Sequence, residues 1–287
     1  MKTSSLEVLL PSQLGRSETD DYSIGAWVEG AIASAPNRQR LQQQLDSISS
    51  KKALLCFLHR FVLFNDALAA RVPYLAGLIH LTPNLFLESS SGVDFCRQAN
   101  GRIAAFVAEA ASDEYRMSED RNMVHQYLSQ RFLRGALAYF GEDEPSFDQR
   151  NPLPPVLSGL LEEARGRFFD RKGPDQIFCG LGFHVGLEFF AHQEFNLVDS
   201  YLKKNFSDLV VRLESDDRDT PSYVWLALHT VVEIGHYRAG LEALKAAVAH
   251  YADRGGKPAM ISRIKEGFNA FVDLQKRYYE AILGDFG

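Results

Sequence analysis

The sequence predicts an all-α protein, and three observations carry that prediction. Apolar residues recur at helical spacing along most of the chain. Stretches of alternating polar and apolar residues are almost absent, and no repeat of 20 to 50 residues is visible, which disfavours strands and solenoids alike. The 287 residues are 46% hydrophobic and 24% charged with mean hydropathy −0.18, a balance that predicts folding around a substantial core.

Residues 1 to 40 are expected to form an irregular N-terminal lead-in, closing on SAPN at Ser34 to Asn37. Residues 41 to 287 are expected to form one helical domain. Arg38 to Ser49 reads as a polar helix with few apolar anchors. From Lys51 to Leu81 the chain is apolar on most sides, with Pro73 as its only breaker, and predicts a buried helix kinked or split near that proline. Ile103, Val107 and Ala110 mark a helix from Phe95 to about Arg116. Leu128, Phe132 and Ala136 mark another from Arg121 to Phe140. The acidic, proline-bearing stretch from Gly141 to Pro155 predicts a long connection. Beyond it come a short helix near Leu157 to Phe169, a long helical run from about Asp175 to Leu213, and a helix from Pro221 to about Ala252. Thr220 offers an N-cap and Pro221 a first helical residue there, while Gly255, Gly256 and Pro258 set a stop before a last helix to Leu283.

Composition also narrows the partners. With 31 Lys+Arg against 37 Asp+Glu, a net charge of −6 and no long basic run, nucleic acid is not an expected partner. Cys56, Cys96 and Cys179 are far apart and odd in number, so neither a disulfide framework nor a zinc knuckle is expected, and a cytoplasmic protein fits. Neither a signal peptide nor about 18 uninterrupted apolar residues occurs, so no membrane association is expected.

The most informative segment is LALHTVVEIGHYR, in which His229, Glu233 and His236 follow one another at spacings of four and three. At 100° per residue the two histidines differ by only about 20° in direction and Glu233 lies about 40° from the first. Trp225, Leu226, Val232, Gly240, Ala243 and Leu244 share that face, so two imidazoles and a carboxylate point where core residues belong. Buried ionisable groups need partners or a metal. The histidines are about 10.5 Å apart along the axis, too far for one small ion but suited to two ions about 3.5–4 Å apart, with Glu233 placed to ligate either or bridge both. The alternative is a triad hydrogen-bonded across the bundle.

Further ligands have to come from other helices. Glu114 continues the Ile103, Val107, Ala110 stripe, with Asp113 and Glu109 as its rivals, and His125 opens the stripe of the next helix. Glu188 is central on the face of Leu181, His184, Val185, Ala191, His192 and Phe195, whereas Glu194 projects about 240° away, towards another layer or solvent. His184 and His192, one turn either side of Glu188, and His59 and Asp66, seven apart on the first core helix, are expected to serve the pocket or support the ligands. Asp66 is the outside candidate for an extra ligand. No serine-nucleophile elbow, P-loop or dinucleotide fingerprint is present.

The order Glu114, His125, Glu188, then His229-x-x-x-Glu233-x-x-His236 resembles the heme-oxygenase-like dimetal oxidases and oxygenases. The segments SDEYRMSEDRNMVHQYLSQRFL and GFHVGLEFFAHQEF look like that family's two earlier metal helices, and the likeness spans roughly Lys51 to Tyr251. One departure is Glu233, where many relatives carry Asp. The resemblance implies a heme-oxygenase-like bundle and a metal set of Glu114, His125, Glu188, His229, Glu233 and His236. It implies two Fe(II) ions, or an Mn/Fe pair, with O₂ as co-substrate. The expected partner is a small organic substrate, amino-acid-like or fatty-acid-like, oxidised by N-oxygenation, desaturation or C–C cleavage, and a homodimer is allowed. Two alternatives are a metal-free enzyme or binding protein of the same fold, and a helical interaction protein.

Overall fold

The computed structural model describes residues 18–87, 93–114, 124–166, 173–253 and 255–286, with backbone alone for 18–23, 93–98 and 113–114. Twelve helices follow one another among these residues: α1 (Glu18–Ser34), α2 (Asn37–Ser47), α3 (Lys51–Ala69), α4 (Arg71–Leu81), α5 (Val93–Glu114), α6 (His125–Tyr139), α7 (Glu144–Arg150), α8 (Pro155–Gly166), α9 (Pro174–Asn205), α10 (Ser207–Ser215), α11 (Val224–His250) and α12 (Lys257–Ala281). The protein is all-α. The described residues hold no strand, only an isolated antiparallel bridge between Phe86 and Tyr251.

Local chemistry explains the helix limits. Ser50 caps α3 by accepting from Ala53 N at 3.1 Å, and Asp143 caps α7 by accepting from Ser146 N at 3.0 Å. Gly173 precedes α9 at φ 68°, a conformation that favours glycine, and Pro174 then occupies the first turn, where a missing N–H costs nothing. The apolar run predicted to split near Pro73 divides at Ala70, which puts the proline in the first turn of α4. Within Lys51–Leu81 lies a window long and apolar enough to cross a membrane, but 72% of it is buried inside the protein. Its apolar side chains therefore face neighbouring helices.

Four expectations are corrected. The lead-in is not irregular over residues 18–34: α1 forms there, with Ile24 and Val28 one turn apart and buried and Trp27 edge-on to Phe268 at 5.5 Å. Few apolar anchors suffice because α11 and α12 complete their burial. The long run from Asp175 breaks at Phe206 into α9 and α10. The connection from Gly141 holds the short helix α7. Thr220 is not the cap of α11, since Pro221 to Tyr223 form a turn and the helix begins at Val224.

α9 runs through the interior and packs on α12, α11, α2, α4 and α10, while α11 packs in turn on α5, α6 and α1. The α9–α12 crossing is backbone against backbone. A Cβ on Gly182 would fall 1.8 Å from the Ile264 carbonyl oxygen, and one on Gly267 would fall 1.9 Å from that of Cys179. Across the bundle the Arg60 guanidinium, almost wholly buried on α3, grips the end of the chain: it donates to Ile282 O at 2.6 Å and to both Asp285 oxygens at 2.6 and 2.8 Å.

Candidate metal centre

α11 presents His229, Glu233 and His236 to the interior, all buried, as their shared helical phase requires. α6 contributes His125 from its first residue, α9 contributes Glu188 and His184, and α3 brings Asp66 behind His125. The contacts fall into two halves. In one, His125 Nδ1 faces His229 Nε2 at 3.1 Å, and His229 Nε2 lies 3.7 Å from Glu233 Oε1. In the other, His236 Nδ1 lies 3.3 Å from Glu233 Oε2 and 3.5 Å from Glu188 Oε2. Glu188, Glu233 and His236 each offer a ligand atom, all within 4.8 Å of one another.

Hydrogen-bond roles fix the tautomers. Trp225 Nε1–H donates to His125 Nε2 at 3.3 Å, so that nitrogen carries a lone pair and the proton sits on Nδ1, from which it is donated to His229 Nε2. His229 Nδ1–H in turn donates to the Trp225 carbonyl at 2.7 Å. Phe195 stacks on His229 with ring centres 4.4 Å apart, and Trp225, Phe61 and Phe132 close the aromatic wall around this half.

Charge is arranged unevenly. Burial would raise the Glu188 carboxyl, yet the adjacent His184 and His236 hold it well below the usual carboxylate range. Glu233 is pushed well above that range by burial and by the Glu188 charge beside it. His236 opposes its own burial and is drawn up to about 11 by the two carboxylates, whereas burial and His125 push His229 well below the usual imidazole range. His184 Nδ1 lies 3.1 Å from Glu188 Oε1 but out of line for a hydrogen bond, and both its ring nitrogens are buried without one. A site with two interior carboxylates, several imidazoles and unmet polar valence has the donor chemistry of a cation site.

His125, Glu188, His229, Glu233 and His236 could therefore hold a metal pair.

The other sequence candidates are placed differently. The side chains of Glu114 and its rival Asp113 lie outside the described residues, and Glu109 is exposed. Asp66 accepts from Ser129 Oγ at 2.6 Å and Gln130 Nε2 at 2.9 Å, with His125 Nε2 3.7 Å from its Oδ1. His59 turns away, edge-on to Phe147 and 3.5 Å from Asp148 of α7. His192 pairs with Asn196 on its own helix, Nδ1 to Nδ2 at 3.3 Å. Glu194 faces another layer rather than solvent, with Tyr279 Oη and Gln275 Nε2 donating to it. Trp225, Ser129 and Gln130 carry hydrogen bonds that their places in the sequence did not announce; only the one-turn step from His125 to Ser129 hinted at a shared face. No family model, curated protein or solved structure matches this chain.

Proposed function

We propose that the protein is a non-heme diiron oxidoreductase, built on a heme-oxygenase-like bundle, that uses O₂ to oxidise a small amino-acid-like or fatty-acid-like substrate. The observation that carries this is the position of Glu233: one carboxylate oxygen faces His229 and the other faces His236, so a single side chain spans both halves of the site. Donors limited to nitrogen and oxygen suit ferrous or manganous ions rather than soft-metal chemistry. When bound, the ion pair would activate O₂, which is itself the oxidant.

The chain's own contribution is positional. Trp225 O accepts from His229 Nδ1–H and so directs Nε2 into the site, the usual arrangement behind a ligating imidazole. Glu188 and Glu233 provide anionic charge opposite the cations, and the wall of Phe61, Phe132, Phe195 and Trp225 keeps water from the His125–His229 half. One observation favours a metal-free relative of the same fold as a second reading: Trp225, His125 and His229 close a ring of three hydrogen bonds among themselves.

Iron decides between them. Protein loaded anaerobically with Fe(II) is expected to retain two ions per chain and to consume O₂ with substrate. His229→Ala and His236→Ala should each lose iron. Wild-type protein that retains no iron, or full loading in both variants, refutes the assignment.

A further inference from the structure

We infer that Asp66 and Trp225 are positioning residues that compete for one nitrogen of His125, so that the tautomer of this ring switches when the His125–His229 half takes up a cation. This rests on the proposed metal centre and adds to it how a ring that is hydrogen-bonded internally becomes a ligand. His125 Nε2 sits between a donor and an acceptor: Trp225 Nε1–H at 3.3 Å and Asp66 Oδ1 at 3.7 Å. A neutral imidazole has one N–H and one lone pair, so Nε2 can serve only one of them at a time. Serving Trp225 leaves the proton on Nδ1, where it is donated to His229 and blocks the lone pair a cation would need. Serving Asp66 puts the proton on Nε2 and frees Nδ1.

Asp66 is built for the second state. Ser129 Oγ and Gln130 Nε2 hold its two oxygens, and both belong to α6, the helix that carries His125, so carboxylate and ring stay in register. Oδ1, which accepts from Ser129, is the oxygen that faces His125 Nε2. Closing the remaining gap to about 2.9 Å takes a ring movement of under about 1 Å. Proton balance is simple: one proton leaves Nδ1, one is gained at Nε2, and the ring stays neutral. Carboxylate–histidine–metal relays of this kind fix both tautomer and ring orientation.

The test uses the full chain with Zn²⁺ as a diamagnetic probe and Co²⁺ for affinity. In histidine-selective ¹⁵N spectra, His125 is expected to carry its proton on Nδ1 in metal-free protein and on Nε2 after Zn²⁺ loading; the same tautomer in both states overturns the inference without any variant. Asp66→Asn should weaken Co²⁺ binding by about 10- to 100-fold, the usual cost of losing such a partner. Trp225→Phe removes the competing donor and should tighten it by about two- to tenfold, the worth of one hydrogen bond. Equal affinity in Asp66→Asn and wild type, with wild type still taking two ions, defeats the inference and leaves the diiron centre standing. Wild-type protein that binds neither Zn²⁺ nor Co²⁺ defeats both.

Discussion

Replacing Glu194 by Gln should make the protein more stable, and by an amount that depends on pH in a defined way. Glu194 is buried on the face of α9 turned from Glu188, among Tyr279, Gln275 and Asn65, with no cation paired to it among the described residues. Burial pushes its carboxyl from the usual 4.5 up to about 8. The folded protein therefore keeps this proton where the unfolded chain has lost it. Stability from this group is full below pH 4.5 and falls as pH rises, until the folded carboxyl also ionises near pH 8. Each unit of separation is worth 1.36 kcal/mol, so the wild type forgoes about 3 kcal/mol at pH 7 and about 5 kcal/mol above pH 8. Glutamine has the same shape and never ionises. Urea unfolding of metal-free wild type and Glu194→Gln from pH 5 to 9 should show curves that nearly coincide at pH 5 and diverge by about 3–5 kcal/mol at pH 9. Taking the difference between the two proteins cancels the titration of the metal-site groups. A gap that stays constant across this range would refute a neutral, desolvated Glu194.

Three other outcomes follow from particular contacts. Because His236 is drawn up to about pH 11 by the carboxylates beside it, cation binding at pH 7 must displace its proton; calorimetry in buffers of different ionisation heat should report proton release on binding, and affinity should climb with pH, whereas no release would contradict the charge arrangement. Gly182→Ala should cost about 3 kcal/mol or more, since the new methyl overlaps the Ile264 carbonyl, while Gly159→Ala, with open space at its Cβ, should be neutral or gain about 0.5–1 kcal/mol by thermal melting; equal effects would mean that the α9–α12 crossing is not in backbone contact. Asp285→Ala leaves the buried Arg60 guanidinium short of two hydrogen bonds and should cost about 1–3 kcal/mol in denaturant unfolding, discounted for the exposure of Asp285; a loss under about 0.5 kcal/mol would show that Ile282 O alone satisfies it.

The helices were legible where apolar residues repeat densely, as in α3, α5, α6 and α11, because periodicity there reports a buried stripe directly. α1 was not, since its two anchors Ile24 and Val28 gain their burial from partners distant in sequence. Within the candidate site, the shared face of His229, Glu233 and His236 follows from helical geometry alone, and so does the opposed placement of Glu188 and Glu194. Which layer Glu194 enters did not follow, because Gln275 and Tyr279 lie more than 80 residues away in α12. His59 shares a side with Asp66 by spacing, yet α7 draws it to Asp148, and the position of so short a helix leaves no periodic trace. Trp225 reads as one more apolar residue in a stripe. Its indole N–H matters only once the fold brings His125 opposite it.

The glycine crossing of α9 and α12 bears on motion. At Gly182 and Gly267 the two backbones touch directly, and further along the same pair Phe183 and Phe190 pack on Phe268 and Phe271, so the two helices are held to move as one body. Glu188 rides on that body, close to the crossing. The groups opposite it, on α6 and α11, are held instead through side chains such as Phe132 and Trp225, which can slide and repack. Breathing that admits a small molecule to the interior should therefore open on that side, and amide hydrogens there should exchange with solvent long before those flanking Gly182 and Gly267.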